Sequence, residues 1–250
     1  MSSGGLELLT IKIQQMTIES TNDNIPTTPA ITYSECYRLP FLSLFHADCM
    51  GIMKQYPDKY FDLAIVDPPY GLERFKANDG GNSKKITTFG DKYKNWNNIK
   101  PDAEYWEQLF RISKNQIVWG GNNFELPTSE YFIVWDKGQM MPSFARCEMA
   151  WTNCKVPAKM YAKRSQDLER IHPTQKPIDL YSWLLINYAK EGFKILDTHL
   201  GSGSIAIAIE KANRLDKMNL HLTACEIDKE YIDKAIKRIS ESIKQGTLSF

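Results

Sequence analysis

The stretch Phe193-Lys-Ile-Leu-Asp197-Thr-His-Leu-Gly201-Ser-Gly203-Ser204 decides the fold of this chain. It opens with a short, mainly apolar run that ends in an aspartate, a pattern typical of a buried strand. Two glycines then allow a tight turn, and a helix is predicted from about Ser204 to Asn213. The next strand is predicted over Leu220–Glu226. A strand, a helix and a strand in this order indicate a unit of a parallel sheet.

The rest of the chain repeats this alternation. Residues 178–190 are predicted to be helical, and a last helix begins after an N-cap at Asp228 and carries its apolar side chains on one face. Further strands are predicted at Phe61–Val66, Gln116–Trp119 and Tyr131–Trp135, with a weaker pattern at Cys147–Thr152. The sequence therefore predicts an α/β fold with a doubly wound, mostly parallel sheet, in which ligands bind beyond the carboxyl ends of the strands.

The domain organisation follows from length and composition. The chain has 250 residues, 42% of them hydrophobic, which suits one good-sized domain. Near the start, Leu9, Ile11 and Ile13 alternate with polar residues as in a short strand, and residues 19–30 are polar and interrupted by proline. We therefore expect a strand and a flexible tail over residues 1–32, and one domain over residues 33–250.

Composition argues against several classes of protein. No apolar run approaches the ~20 residues that cross a bilayer, and the amino terminus lacks the pattern of a secretory signal. The five cysteines are odd in number and never spaced as C-x-x-C, and none of the four histidines is paired at helical spacing. We expect an intracellular protein without a membrane segment, a disulfide framework or a metal site.

Charge is concentrated in two segments although the net charge is only +1. Residues 71–100 carry seven basic and three acidic side chains, and residues 151–176 carry six basic and two acidic ones. Phosphate contacts are expected at such segments. On charge alone, however, two solvated lysine-rich loops are the more common explanation.

The glycine turn has the chemistry of a nucleoside site. Glycines let the backbone approach a ligand, the helix amino terminus attracts negative charge, and Glu226 ends the next strand where it can accept hydrogen bonds from ribose hydroxyls. Gly201-x-Gly203-x-x-Ala206 also fits the dinucleotide pattern, so an NAD-dependent oxidoreductase stays open. No G-x-x-x-x-G-K-[ST] is present, which excludes an ATP-type phosphate loop.

A second motif, Asp67-Pro68-Pro69-Tyr70, follows the predicted strand Phe61–Val66. The prolines fix their φ angles and remove N–H donors, so the corner is stiff and offers a carboxylate and a carbonyl as acceptors beside an aromatic ring. Such a corner is complementary to an amino group on a flat ring, which stacks on Tyr70. Holding both amino hydrogens would free the nitrogen lone pair for attack on a methyl sulfonium, by positioning and electrostatics alone.

With these two motifs, the chain resembles the DNA adenine-N6 and cytosine-N4 methyltransferases over roughly residues 42–240. The catalytic corner precedes the cofactor loop, as in the β-class of that family. The resemblance implies a Rossmann-like class I methyltransferase fold, S-adenosylmethionine as cofactor and Asp67, Pro68, Pro69 and Tyr70 as the catalytic motif.

The resemblance also implies the cofactor-binding residues. Asp48 and Cys49, in Ala47-Asp48-Cys49, match the segment that contacts the cofactor adenine, and Lys176 lies in His172–Pro177, which matches the segment enclosing the methionine part. Asp67 is shared with the catalytic corner. The cofactor loop and the strand after it supply Asp197, Thr198, Gly201, Ser202, Gly203, Ser204, Glu226 and Ile227. One departure is Asp197-Thr198-His199, where many relatives have Asp-Pro-Phe, and His199 is interpreted as structural.

The substrate is expected to be adenine in double-stranded DNA. In this family an Asp at the start of the corner goes mostly with adenine N6, whereas Ser is frequent in cytosine-N4 enzymes, which remain the alternative. Carbon-5 methylation uses a Pro-Cys pair, which the chain lacks. A catalytically inactive DNA-binding subunit and an RNA or protein amide methyltransferase are lesser alternatives.

A base inside a duplex cannot reach such a corner, so we expect the target base to be flipped out. Inserted loops at residues 71–100 and 151–171 are expected to recognise the DNA, or a homodimer shares the work. Gly120–Phe124 resembles the family's segment near the flipped base, although a plain turn explains it equally well. The expected location is the cytoplasm of a bacterium or phage-infected cell, as for restriction–modification enzymes. Aromatic side chains that can stack or wedge in the inserted loops are Tyr93, Trp96, Trp151 and Tyr161.

Overall fold

The computed structural model describes residues 36–71, 100–138, 145–163, 171–172 and 174–247. These residues form one mixed sheet with helices on both faces. Its strands are β1 (Cys36–Leu39), β2 (Leu42–His46), β3 (Phe61–Val66), β4 (Ser113–Trp119), β5 (Phe132–Asp136), β6 (Cys147–Thr152), β7 (Lys159–Ala162), β8 (Lys194–Asp197) and β9 (His221–Glu226). Its helices are α1 (Cys49–Met53), α2 (Ala103–Ile112), α3 (Ile178–Tyr188), α4 (Ser204–Asp216) and α5 (Lys229–Thr247).

The strand order is β1-β2-β9-β8-β3-β4-β6-β5-β7. The five central strands, from β2 to β4, are parallel to one another. β1 pairs with β2 as an antiparallel hairpin, β6 runs antiparallel to both β4 and β5, and β7 is parallel to β5. The predicted doubly wound, mostly parallel sheet is confirmed.

The alternation of side chains along β3 shows why both faces of the sheet are covered. Leu63 and Ile65 point into a core with α3, α4 and α5, whereas Ala64 and Val66 point into a second core with α1 and α2. All four side chains are at most 1% exposed. A strand that is buried on both faces has a nearly continuous apolar sequence, which is the pattern that predicted β3.

The strand directions bring several acidic residues to one edge of the sheet. The parallel strands β9, β8 and β3 end at this edge with Glu226, Asp197 and, one residue beyond β3, Asp67. Because β6 is antiparallel, its amino end lies at the same edge and brings Glu148 there. This is the carboxyl edge at which an open α/β sheet binds its ligands.

The structure also contains elements that the sequence did not predict: β1, β2, α1, α2 and β7. β7 lies within the predicted loop 151–171, so that segment is partly strand, and residues 164–170 lie outside the described part. The predicted strand and tail in residues 1–32, and residues 72–99 of the other loop, also lie outside it.

Two general features complete the description. Within the described ranges, no helix is long and apolar enough to span a membrane, and no cluster of His, Cys, Asp or Glu side chains is arranged to hold a metal ion. The cysteines whose side chains are described, at positions 49, 147, 154 and 225, are free thiols.

Candidate active site

A cavity of about 270 Å³ lies at the carboxyl edge of the sheet. It opens between the ends of β3, β8 and β9 and the segment that leads into α3. Its walls are Asp67, Pro69, His172, Thr174, Gln175, Lys176, Tyr181, His199, Leu200, Gly201, Ser202, Glu226, Ile227, Asp228 and Tyr231. Both sequence motifs therefore contribute to one site.

The carboxylate of Asp67 is held at both oxygens. The Tyr70 hydroxyl donates a hydrogen bond of 2.5 Å to Oδ1, and the Lys176 ammonium donates one to Oδ2. Since the two prolines stiffen the backbone between Asp67 and Tyr70, the corner fixes its own carboxylate. The lone pairs that remain on the two oxygens can accept further donors from the cavity.

Lys176 is a buried cation between two carboxylates. Its side chain is 3% exposed, its Nζ contacts Asp67 and lies 3.4 Å from Glu148 Oε2, and it lies 5.2 Å from the centre of the Trp119 indole. Burial disfavours the charge, but Asp67 and Glu148 outweigh it and raise the pKa of Lys176. Lys176 therefore remains charged at neutral pH.

Glu148 is held in turn by two lysines. Lys137, which follows β5, forms an ion pair with Oε1, and Lys176 faces Oε2. Burial works against ionisation of Glu148, yet Lys176 and then Lys137 lower its pKa below the usual value. Glu148 is therefore ionised at neutral pH.

Tyr70 lies between the corner and the turn that follows β4. Its ring is 6.0 Å from that of Phe124 in an edge-on arrangement, and Phe124 directly follows a single turn of 3₁₀ helix over Gly121–Asn123. Burial, followed by the charge of Asp67, raises the pKa of Tyr70 well above its usual value, so its hydroxyl stays protonated and donates. The predicted segment Gly120–Phe124 thus lies beside the corner.

The glycine loop is tied to the end of β9. Gly203 has a φ of 72° and immediately precedes α4, a conformation that favours glycine. The N–H of Gly201 donates to Glu226 Oε2, and the N–H of Asp228 donates to Oε1, each at 2.9 Å. Burial raises the pKa of Glu226 even though these two donors oppose that shift. The loop therefore orients the carboxylate that faces the cavity.

Behind the loop lies a small buried polar network. Asp197 Oδ1 accepts the N–H of His199 at 2.9 Å, and burial raises the pKa of Asp197 to about 7. The Thr198 hydroxyl lies 2.7 Å from the Tyr105 hydroxyl and 2.9 Å from His199 Nδ1. Burial lowers the pKa of His199 to about 4, so its ring is neutral at physiological pH.

The predicted site residues divide into two groups. Those that line the cavity are Asp67, Pro69, Lys176, Gly201, Ser202, Glu226 and Ile227. Those that lie outside its wall are Asp48, Cys49, Pro68, Tyr70, Asp197, Thr198, Gly203 and Ser204. Asp48 is the N-cap of α1, where its Oδ1 accepts the N–H of Met50 at 2.7 Å. Burial raises the pKa of Cys49 to about 12, which keeps it a thiol.

Sequence reasoning missed Glu148, Lys137 and Tyr181. Glu148 lies in a strand that was predicted only from a weak pattern, and its partners are eleven residues before it and 28 residues after it. No local spacing connects these positions. Tyr181 lies among the apolar residues of α3, where its sequence position does not distinguish it from core residues. In the structure it lines the cavity.

The aromatic residues proposed for DNA contacts are placed unevenly. Tyr93 and Trp96 lie outside the described residues. Trp151 is 9% exposed, and its indole N–H donates to the Pro127 carbonyl at 2.7 Å, so it belongs to the core. The suggestion that Trp151 stacks on or wedges into DNA is therefore wrong. Tyr161 packs against Trp183, with ring centres 5.4 Å apart.

A family model for N6/N4 methyltransferases, described as DNA methylase, matches residues 90–237, which is more than half of the chain. The chain belongs to this family. It is therefore a DNA methyltransferase, with S-adenosylmethionine as its methyl donor. The predicted family is confirmed, and the NAD-dependent alternative is set aside.

Individual relatives agree with the family. The chain is 24% identical to the type II methyltransferase M2.LlaDCHI of Lactococcus lactis subsp. cremoris, over 81% of this chain and 91% of that protein. It is 21% identical to the type II methyltransferase M.BglII of Bacillus subtilis, over 89% of this chain and 75% of that protein.

Solved structures agree on the fold. The cytosine-N4-specific PvuII DNA methyltransferase matches with a TM-score of 0.52 and 11% identity, over 82% of this chain and 92% of that one. A complex of M1.HpyAVI with SAM (S-adenosylmethionine) matches with a TM-score of 0.50 and 19% identity, over 79% of this chain and 98% of that one. The fold is that of the class I methyltransferases.

Proposed function

We propose that this methyltransferase acts on the N6 amino group of adenine in double-stranded DNA. The observation that carries the proposal is Asp67, whose carboxylate lines the cavity and is oriented by Tyr70 and Lys176. A fixed acceptor beside an aromatic ring suits a planar ring with an amino group. The choice of adenine over cytosine is supported by the aspartate at the first position of the corner.

The chemistry of the cavity suits S-adenosylmethionine, which supplies an electrophilic methyl group on a cationic sulfonium. Glu226 offers a carboxylate for ribose hydroxyls, and Asp67 offers negative charge near the corner. Tyr231 and Ile227 add apolar wall for an adenine. The proposed cofactor-binding residues are Asp48, Cys49, Asp67, Lys176, Asp197, Thr198, Gly201, Ser202, Gly203, Ser204, Glu226 and Ile227.

The corner acts by holding and orienting the amino group. Asp67 and the carbonyl of Pro68 or Pro69 accept its two hydrogens, and the Tyr70 ring stacks on the base. These contacts direct the nitrogen lone pair toward the methyl group and make no covalent bond to the enzyme. The catalytic gain then comes from positioning and from preorganised charge.

The target base must leave the duplex to reach the corner. The basic segments at residues 71–100 and 151–171 are proposed to hold the DNA, and a homodimer remains a prediction. At the end of the first segment, Lys100 Nζ donates to the Asn123 carbonyl at 2.8 Å. This bond ties the end of the basic segment to the turn beside Tyr70, which supports the proposal that DNA contacts and the corner act together.

The decisive experiment is incubation with labelled S-adenosylmethionine and unmethylated genomic DNA, followed by nucleoside analysis. We expect N6-methyladenine from the wild type and essentially none from Asp67→Ala. Asp62→Ala is the matched control, because Asp62 lies in β3 at the end opposite to Asp67 and pairs with Lys114 at 2.7 Å. N4-methylcytosine as the product would move the assignment to cytosine.

A further inference from the structure

Four alternating charges form a row that ends at the catalytic corner. Lys137 contacts Glu148, Glu148 faces Lys176, and Lys176 contacts Asp67. The side chains of Lys137 and Glu148 are 22% and 23% exposed, whereas that of Lys176 is 3% exposed. The row therefore leads from partly exposed groups into the buried side of the cavity.

The sheet places Glu148 where it can reach Lys176. Ala150 in β6 is paired with Trp119, the last residue of β4, so Glu148 extends two residues beyond the end of β4. Residues two apart in a strand share a face. Glu148 therefore points to the same face as Trp119 and Ala150, which is the face covered by α3.

The Oε2 atom of Glu148 is the carboxylate oxygen that faces Lys176. It is buried and lies 3.4 Å from Lys176 Nζ, at ion-pair distance. Burial of a carboxylate oxygen is costly unless a cation is close to it, and Lys176 offsets that cost. This arrangement indicates that Glu148 acts on the charge and the position of Lys176.

We propose that Glu148 is a positioning residue for methyl transfer, which holds the Lys176 ammonium against Asp67. Lysine is a flexible four-carbon chain with a compact charge, so its position depends on the groups that hold its end. With Glu148 in place, the ammonium has an anion on each side and keeps the Asp67 carboxylate oriented. This inference rests on the proposed role of Asp67.

The proposal predicts different changes in the pKa of Lys176 when Glu148 is replaced and when Lys137 is replaced. Removing the charge of Glu148 leaves Lys176 with burial and one anion, so its pKa falls. Removing Lys137 instead leaves Lys176 as the one lysine paired with Glu148 among these four residues. Lys176 keeps both of its anions, so its pKa does not fall. Other titratable or charged groups facing this pair are Tyr70 beside β3, Tyr181 on α3, Asp197 at the end of β8 and His172 in the segment before α3, and both variants keep them.

The test compares Glu148→Gln, Lys137→Met and Glu210→Gln in the full chain. Glu210 is a matched control, since it is a largely buried glutamate paired with Arg214 at 2.7 Å within α4, outside the cavity wall. The measurements are kcat and KM for DNA from about pH 7 to about pH 10, cofactor affinity by calorimetry, and thermal midpoints.

For Glu148→Gln we expect kcat to fall about tenfold or more with KM for DNA little changed. The alkaline limb of kcat, which in the wild type lies above this pH range because Asp67 and Glu148 raise the pKa of Lys176, should move down into the range. Lys137→Met should leave that limb in place or move it higher. Glu210→Gln should keep the wild-type profile. If Glu148→Gln fails to fold, Glu148→Asp replaces it, and an intermediate kcat with the wild-type limb is expected because the charge is kept.

Two results would overturn the inference. One is a Glu148 variant with the wild-type kcat and alkaline limb. The other is an equal downward shift of the limb in the Glu148 and Lys137 variants, which would indicate general damage to the fold. If Asp67→Ala is inactive while the Glu148 variant matches the wild type, only this inference fails. If Asp67→Ala is active, the proposed role of the corner fails first.

Discussion

Replacing Gly120 with alanine should separate the geometry of the corner from the stability of the fold. Gly120 follows β4 with a φ of 65°, and an added Cβ would lie 2.3 Å from the Cε1 atom of Tyr70. Carbon atoms in contact are normally ~3.5–4.0 Å apart. The Tyr70 ring must therefore move by more than ~1 Å, and its 2.5 Å hydrogen bond to Asp67 cannot survive that movement.

The expected magnitude has two parts. A residue with a side chain in the left-handed region costs about 1–2 kcal/mol, which lowers the melting temperature of a domain of this size by roughly 2–8 °C. Displacing a group in the catalytic corner by ~1 Å can cost ~100-fold in rate, or about 2.7 kcal/mol of activation free energy. Gly120→Ala should show both effects.

Gly192→Ala is the matched control, because Gly192 has a φ of 77° and nothing lies within 4 Å of an added Cβ. It should lose a similar amount of backbone stability and keep the wild-type kcat. Thermal melts and initial rates of methyl incorporation, measured on the same preparations, separate the two parts. If both variants lose stability and keep the same kcat, the placement of Tyr70 does not limit the reaction and the reasoning fails.

Two further substitutions test the buried network behind the glycine loop. The raised pKa of Asp197 means that the folded state binds this proton more tightly than the unfolded state, so ionisation costs stability as pH rises from about 4 to about 7. Asp197→Asn removes that cost, so its melting temperature minus that of the wild type should increase over this range and then level off; a difference independent of pH would contradict the burial argument. His199 is neutral above about pH 5, because its pKa is about 4. His199→Phe should therefore keep kcat within about threefold and lose about 1 kcal/mol of stability with the hydrogen bond to Thr198, and a hundredfold loss of kcat would show that the ring takes part in the reaction.

The sequence predicted the interior of the fold better than its periphery. β3 and β6 begin and end where the patterns placed them. The edge strand β7 has side chains that alternate between half-buried and exposed, and it is only four residues long, so it gives a weak periodic signal. α2 did have readable signals, since Asp102 accepts the N–H of Tyr105 as an N-cap and Tyr105, Leu109 and Ile112 repeat at helical spacing.

The site residues that lie in contiguous sequence motifs were predictable, whereas those that meet only through the pairing of distant strands were not. Asp67, Glu226 and Lys176 each lie in a contiguous motif. The strand order β9-β8-β3 brings Glu226 and Asp67 to one edge, and the segment before α3 brings Lys176 to Asp67. Glu148 has no such motif, since its contact with Lys176 depends on the register of β6 against β4. A register is set by pairing between distant segments, which a single sequence does not display.

The reversed direction of β6 is therefore the feature that completes the site. In a parallel strand the residue at the catalytic edge would come from the carboxyl end, near Thr152. Glu148 would then lie four residues away along the strand, or about 13 Å from that edge. No side chain spans that distance to Lys176. Because β6 is antiparallel, its amino end brings an anion to the same edge as Asp67, and the buried lysine between them has a partner on each side.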